Sequence, residues 1–388
     1  MRIFSIPASS SSASDLYVLR PLTSDLRIER NYDMNKDMLI VITGAGGFIG
    51  GNLAKYFNDK GFTRIRAVDK KPICEWYLRV PEAENICLDC SKEENCNRVC
   101  EGSAEIYNLA ADMGGMGFIE RLRIECLRSI LINTHMIEAA YRAGADRYFF
   151  SSSACAYSTL LQEDTNAPAL KESDAYPAMS ERGYGWEKLI SEMFCQEYWA
   201  ERGMKTFIAR FHNVYGPYGT WDGGREKAPA AICRKVIEAI DKNDLRISIW
   251  GDGRQTRSFM YIDDCVKGID MIMHCDDLIA TPINLGSSAL VPIDDLVSKV
   301  EKIGAVKLKR EYEANAPRGV AGRNSDNTFI KSVLNWEPNT TLDTGLRHTY
   351  DWIKDQYHSR KLGNHAVEKQ NPAGSDPVGR PVSSLSKE

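Results

Sequence analysis

Met38-Leu39-Ile40-Val41-Ile42-Thr43 runs directly into Gly44-Ala45-Gly46-Gly47-Phe48-Ile49-Gly50, and an amphipathic segment from Asn52 to Asp59 follows. A short apolar run, a glycine-rich turn and a helix in that order open a strand-turn-helix unit. Glycines let another group approach the backbone closely, and the helix N-terminus presents free amides to an anion such as a pyrophosphate. Ile65 to Asp69 reads as the next strand, Glu105 to Ala111 and Arg147 to Ser152 as further buried strands, and Ile130 to Ala143 as a helix between them. Strands alternating with helices predict an α/β chain built on a parallel, doubly wound sheet.

Composition sets outer limits. With 388 residues, 43% of them hydrophobic, the chain can bury a large core without covalent staples. A formal net charge of -4 with both signs interspersed offers no basic stripe for nucleic acid and no polybasic membrane patch. No apolar run reaches the ~18 residues needed to span a bilayer. The 11 cysteines are odd in number and diluted along the chain, which points to reduced thiols in a cytoplasmic enzyme. Cys87, Cys90, Cys96 and Cys100 have zinc-like spacing within each pair, but the pairs lie too close together and Cys87 falls in a strand-like run, so no metal is expected.

Gly44, Gly47 and Gly50 in this context make a Rossmann-type dinucleotide site the leading reading, with a tight turn that binds nothing as its alternative. Asp69 ends the second strand, where a carboxylate can accept hydrogen bonds from the adenosine ribose hydroxyls and repel a 2′-phosphate. That favours NAD over NADP, although Lys70 and Lys71 weaken the exclusion.

Tyr184 and Lys188 stand four apart, on one face of a helix. Alone, such a pair is an ordinary surface feature. Behind the glycine turn and the serine-rich end of a strand, it reads as a catalytic pair in which a nearby ammonium and a cationic nicotinamide lower the phenol's pKa. Tyr184 could then deprotonate a substrate alcohol, with Ser153 bonded to the same oxygen. Cys155 is by default a small buried side chain. Lys227 could simply hold phosphate or solvate a loop.

The Gly-x-x-Gly-x-x-Gly spacing together with Tyr184-x-x-x-Lys188 resembles the extended short-chain dehydrogenase/reductase superfamily. More specific are Ala110-Ala111-Asp112-Met113-Gly114-Gly115-Met116-Gly117-Phe118, Ser152-Ser153-Ala154-Cys155 and Arg210-Phe211-His212-Asn213-Val214-Tyr215-Gly216-Pro217. To these are added Gly223-Gly224-Arg225-Glu226-Lys227-Ala228-Pro229-Ala230-Ala231, Trp250-Gly251-Asp252-Gly253, Gln255-Thr256-Arg257-Ser258-Phe259 and Gly322-Arg323-Asn324-Ser325-Asp326-Asn327. From about residue 38 to residue 357 the chain resembles the GDP-mannose 3,5-epimerase family of nucleotide-sugar epimerases and dehydratases.

The resemblance implies inversion of GDP-D-mannose at C3 and C5 to GDP-L-galactose, with GDP-L-gulose as the product of C5 inversion alone. It implies Tyr184, Lys188, Ser153, Cys155 and Lys227 as catalytic, the cysteine as base and the lysine as proton donor. NAD would be held by Gly44, Gly47, Phe48, Ile49, Gly50, Asp69, Asp89, Ala110, Tyr184 and Lys188. Substrate would be held by Gly114, Ser153, Ala154, Cys155, Asn213, Glu226, Lys227, Ala228, Lys235, Gln255, Thr256, Arg257 and Arg323, the two arginines on the diphosphate.

Related dehydratases commonly carry Thr-Asp-Glu where this chain has Ser153-Ala154-Cys155, which disfavours elimination. A nucleotide-sugar 4-epimerase or 4,6-dehydratase is the alternative, and a non-catalytic NAD-binding regulator a more distant one. Family members are commonly dimers, so a homodimer is expected.

The organisation expected is a flexible extension over 1–37, a mainly NAD-binding part over 38–213, a smaller C-terminal substrate-binding lobe over 214–357 with segments returning to the sheet, and a flexible tail over 358–388. Acidic residues and the lack of an apolar stretch distinguish the extension from a transit peptide.

Overall fold

The computed structural model describes residues 35–317 and 319–370. In chain order, the first half supplies strands β1 (Ile40–Thr43), β2 (Ile65–Asp69), β3 (Glu84–Cys87), β4 (Glu105–Asn108), β5 (Arg147–Ser153) and β6 (Lys205–Phe211). Its helices are α1 (Phe48–Asp59), α2 (Glu93–Cys100), α3 (Met116–Arg121), α4 (Arg123–Arg142) and α5 (Tyr184–Arg202).

The second half adds β7 (Asn213–Tyr215), α6 (Ala228–Asp241), β8 (Arg246–Trp250), β9 (Thr256–Arg257), β10 (Phe259–Tyr261), α7 (Ile262–Met273) and β11 (Pro282–Leu285). After these come β12 (Val291–Pro292), α8 (Ile293–Ile303), β13 (Lys309–Glu313), β14 (Gly322–Arg323), α9 (Thr328–Leu334) and α10 (Leu342–Gln370).

Seven strands form one parallel sheet in the order β11-β6-β5-β4-β1-β2-β3. Strand order reverses between β1 and β4, so the crevice beyond their C-terminal ends is the place where such a sheet binds its ligand. The expected α/β, Rossmann-type doubly wound sheet is thus present, and β11 returns to it from the second half of the chain. The remaining strands make small sheets, β10 beside β7, β13 beside β8, and β12-β9-β14.

β1 and β4, in the middle of the sheet, are buried along their whole length because both faces of the sheet are covered. On one face Val41, Val68, Ile106, Tyr148 and Phe150 pack with Met136 and Ile137 of α4 and Cys96, Val99 and Cys100 of α2. Three of the four closely spaced cysteines therefore belong to this region's interior, whereas Cys87 is exposed. Among the described residues no cluster suited to a metal occurs, and no helix is long and apolar enough to cross a membrane.

Two sequence-based boundaries move. Helix α4 begins at Arg123 rather than Ile130, because its first turns carry exposed apolar residues that hide the amphipathic pattern. The flexible tail expected from residue 358 is instead helical through Gln370. Contacts that composition does not reveal hold α10: Arg360 stacks 4.2 Å from the Trp221 ring centre and pairs with Asp222 at 2.8 Å, and Lys361 pairs with Asp241 at 2.8 Å. The rest of that tail, and the expected extension up to residue 34, lie outside the described residues.

A buried ion pair ties the sheet to the helix that carries Tyr184 and Lys188. Arg210 of β6 donates to both oxygens of Glu192 on α5, at 2.9 and 2.7 Å, and Ser152 of β5 bonds the same carboxylate. Two charges buried this deeply persist only when their polar atoms are matched, so the pair fixes the register of α5 against β5 and β6.

Candidate active site

At the C-terminal end of β1, Gly44 adopts φ +72, and a Cβ there would lie 2.8 Å from Leu109 O. A Cβ on Gly50 would collide with the Gly44 backbone. The turn is therefore folded onto the end of β4 more tightly than any side chain permits. It feeds into α1 through Gly47, whose lack of a side chain leaves the first amides of the helix without a side-chain cap. Phe48 and Ile49 open that helix, and the Phe48 ring lies under Gly219 of the later loop.

Asp69 Oδ2 accepts from Gly46 N at 3.1 Å, and Oδ1 accepts from Lys71 N at 2.9 Å. An ionised carboxylate has about four acceptor sites, so capacity for a pair of hydroxyls remains. The two lysines that weakened the case for NAD are otherwise engaged. Lys71 Nζ donates to Gly46 O at 2.9 Å, and Lys70 Nζ pairs with Asp112 Oδ2 at 2.6 Å. Asp89 Oδ1 accepts from Ser91 N at 2.9 Å, and Ala110 N reaches Thr43 Oγ1 at 3.4 Å at the crevice itself.

Beyond the crevice, β5 ends at Ser153 and turns through Ala154–Ala156. Ser153 Oγ accepts from Cys155 N at 3.2 Å, which orders the turn. Tyr184 begins α5 and Lys188 follows one turn later, both buried. Lys188 Nζ lies 5.4 Å from the centre of the Tyr184 ring and 4.9 Å from that of Phe150. Its separation of 3.7 Å from Glu187 Oε2 is too long for a hydrogen bond, so Nζ is a buried donor with no hydrogen-bond partner. Such an atom requires an occupant. Together with the glycine cradle and Asp69, it fits a dinucleotide cofactor.

The phenol does not behave as the lysine alone would predict. Burial holds the Tyr184 pKa well above its ordinary value, the charges of Cys155 and Glu187 add to this, and only a hydrogen bond with Ser153 opposes them. A low-pKa tyrosine thus needs a further positive charge at the site, such as that of an oxidised nicotinamide.

Three distant segments converge on Cys155. Arg323 of β14 is buried, donating to Cys155 Sγ at 3.3 Å through Nη1, to Gln162 Oε1 through Nε, and lying 3.5 Å from Glu181 Oε2 through Nη2. Burial pushes the Cys155 thiol up to about 11, with the Glu181 carboxylate adding to the rise and the Arg323 guanidinium opposing it. Lys227, the residue preceding α6, has its pKa lowered by burial, partly offset by the Cys155 and Cys265 thiols. The raised thiol pKa and the lowered amine pKa both favour the uncharged form of each group in the buried site. Arg257 of β9 is held by the carbonyls of Thr256 at 2.7 Å and Val320 at 2.6 Å, and burial followed by the charge of Arg323 lowers its pKa to about 10. Two guanidiniums in mutual repulsion make a site for an anion.

The other residues expected to meet substrate are engaged as follows. A Cβ on Gly114 would meet Phe118 at 2.8 Å, so the chain there is closely packed. Asn213 Nδ2 donates to Ser258 O at 3.1 Å, Lys235 Nζ to Ser248 O at 2.7 Å, and Thr256 Oγ1 to Thr165 O. Gln255 Nε2 donates to Trp250 O at 2.6 Å, while its Oε1 is buried without a partner and available to a ligand donor. Glu226 is committed to its own loop, accepting from Gly224 N at 2.7 Å and Arg234 Nη2 at 3.0 Å, with Ala228 starting α6 beside it. His212 is packed rather than reactive: burial lowers its pKa to about 4, and its Nε2 lies 3.0 Å from Asn284 Oδ1. Sequence reasoning missed Glu181 and Gln162, neither of which stands in a recognisable motif.

Similarity to known proteins bears on the family and the fold. Residues 40–286 match the NAD dependent epimerase/dehydratase family. The chain is 41% identical over 352 residues to GDP-mannose 3,5-epimerase of Arabidopsis thaliana, covering 89% of this chain and 87% of that one. It is 40% identical over 355 residues to GDP-mannose 3,5-epimerase 1 of Oryza sativa subsp. japonica, covering 90% and 87%. Among solved structures, UDP-glucose 4-epimerase with UDP-glucose from Thermotoga maritima superposes with TM-score 0.72 at 21% identity, over 82% of this chain and 100% of that one. The Thermus thermophilus UDP-glucose 4-epimerase complex with NAD gives TM-score 0.69 at 17% identity, over 82% and 99%. These structural likenesses concern the fold, whereas the sequence identities reach further: the chain belongs to the GDP-mannose 3,5-epimerase family of NAD-dependent epimerases.

Proposed function

We propose that the protein epimerises GDP-D-mannose at C3 and C5 to GDP-L-galactose, with GDP-L-gulose as the product when only C5 is inverted. The observation that carries this reading is a buried thiol, Cys155, hydrogen-bonded by Arg323 at 3.3 Å beside the Ser153 and Tyr184 pair. A C4 dehydrogenase site needs no such thiol, and a dehydratase needs carboxylates at that turn.

A sugar C–H beside a hydroxyl-bearing carbon is not acidic, and a ketone at C4 makes both C3–H and C5–H acidic. Gly44, Gly47, Gly50, Phe48, Ile49 and Asp69 would hold NAD with Asp89, Ala110, Tyr184 and Lys188. When bound, NAD supplies the acceptor, and later the donor, of the C4 hydride. Tyr184 removes the C4 hydroxyl proton, and Ser153 steadies the same oxygen. Cys155 withdraws the carbon-bound proton on one face and Lys227 delivers a proton on the other, which inverts the centre. Tyr184 then returns its proton to C4–O, so the cycle is redox neutral. Arg257 and Arg323 hold the diphosphate, and Gly114, Ala154, Asn213, Glu226, Ala228, Lys235, Gln255 and Thr256 surround the rest.

The protein assembles as a homodimer in the same reading. Leu127 and Leu131 of α4 and Ile190, Met193 and Phe194 of α5 are exposed apolar side chains on two packed helices, a face that a second copy would cover. Its unpaired cysteines suit a reducing compartment, the cytoplasm. Incubation of the purified chain with GDP-mannose should give GDP-L-galactose and GDP-L-gulose by chromatography and NMR. A 4-epimerised or 4,6-dehydrated sugar as the sole product sinks the proposal.

A further inference from the structure

Glu181 lies three residues before Tyr184 and is fixed from both sides. Its N–H donates to Cys155 O at 3.1 Å, and its own carbonyl accepts from Gly185 N at 3.0 Å at the start of α5. Gly185 makes this approach possible, since a Cβ there would overlap Cys155 O. The Glu181 carboxylate reaches Arg323 Nη2 at 3.5 Å, and the Nη1 of the same guanidinium donates to Cys155 Sγ at 3.3 Å. Sγ is thus an acceptor toward Arg323, whose guanidinium bridges the thiol and the carboxylate. The Glu181 side chain is 14% exposed, so it stands between the buried thiol and water.

Two inversions on one sugar raise a proton-balance problem. Each leaves a proton on Cys155 and takes one from Lys227, so the second inversion cannot use the same two groups until the thiol is emptied. Lys227 retains partial exposure at the start of α6 although its surroundings disfavour its charge, whereas Cys155 is enclosed.

We propose that Glu181 accepts the proton from Cys155 between the two inversions and passes it to solvent, a positioning and relay role exerted through the thiol and resting on the epimerase reading above. In this step the S–H bond breaks, the electron pair stays on sulfur, an O–H bond forms on the carboxylate, and that proton then leaves to water. Arg323 stabilises the thiolate as it forms. Around the carboxylate stand Arg323, Arg257 and Cys155, with Tyr184 and Lys227 facing the thiol from α5 and from the start of α6.

The test compares Glu181→Gln with Glu181→Asp in wild-type buffer and across pH. The amide keeps an acceptor for Arg323 but cannot take a proton. E181Q should lower kcat by about tenfold to hundredfold with little change in KM, shift products from GDP-L-galactose toward GDP-L-gulose, and recover as pH rises and the thiol ionises unaided. E181D should keep the wild-type ratio. A raised KM with an unchanged product ratio and pH profile in E181Q would assign Glu181 to holding Arg323 and overturn the proposal. Should E181Q not bind NAD, Glu181→Ala assayed with formate replaces it: return of GDP-L-galactose supports the relay, and no return overturns it. Absence of any C3 or C5 inversion in the wild type is a failure of the epimerase reading itself and is seen before any variant is made.

Discussion

Arg323 on β14 donates a hydrogen bond to the thiol of Cys155 at the end of β5, across 168 positions of sequence. A residue from the last third of the chain is thereby brought to the turn that follows β5, beside the helix that carries Tyr184 and Lys188. β14 has two residues and pairs with β9 in a small sheet, whereas β5 is a seven-residue strand of the main sheet.

Replacement of Cys155 by serine should abolish inversion while leaving C4 oxidation intact. A hydroxyl at that position is a far weaker base, so production of both epimers should fall by about 10² to 10⁴ fold. NAD binding should be unchanged by fluorescence titration, and a normal rate of epimer formation in Cys155→Ser would remove the thiol from the chemistry.

Burial raises the Tyr184 pKa, so the phenolate that accepts the substrate proton becomes more populated as pH rises. The rate of the C4 oxidation step should therefore increase with pH. Lys188→Ala should move that rise to higher pH and weaken NAD binding, read from single-turnover absorbance of the reduced nicotinamide. An unshifted profile would mean that Lys188 contributes only to folding.

A single methyl on Gly50 should cost cofactor affinity. Its Cβ would strike the Gly44 backbone, and opening the turn misplaces the amides that face the pyrophosphate. Gly50→Ala should raise the NAD dissociation constant at least about tenfold, since each 1.4 kcal/mol is a factor of ten, as measured by calorimetry.

His274 supplies a pH signature of stability away from the site. Burial opposes its charge, but hydrogen bonds to Asp270 and Glu105, the latter at 2.9 Å, prevail and raise its pKa to about 10. Because the folded pKa exceeds the unfolded one, this contribution is full below pH about 6.5 and is lost as pH rises through about 10. His274→Gln should lower stability at neutral pH by about 3 kcal/mol, the scale of breaking a buried pair, and flatten the alkaline loss of Tm. An unchanged alkaline slope would contradict it.

The features that were legible in sequence are local. Ile40 to Gly50 states a strand, a turn and a helix within eleven positions, and Tyr184 and Lys188 lie one helical turn apart, so spacing alone places them. Family motifs singled out Cys155, Lys227 and Arg323, but only the fold brings Arg323 onto the thiol. Glu181 was invisible because its role depends on a backbone contact with Cys155, 26 positions earlier, that no periodicity encodes. The ends of α4 and α10 were misplaced for a related reason: exposed apolar residues and long-range ion pairs override the composition on which boundaries are judged.

Proton exchange at carbon tests the central claim most directly. Turnover of GDP-D-mannose in heavy water, followed by NMR of the recovered sugar nucleotides, should show deuterium at C5 and C3 of GDP-L-galactose, at C5 of GDP-L-gulose, and none at C4. Deuterium absent from both C3 and C5 while the C4 centre turns over would contradict the role of Cys155 and leave a hydride-only epimerase.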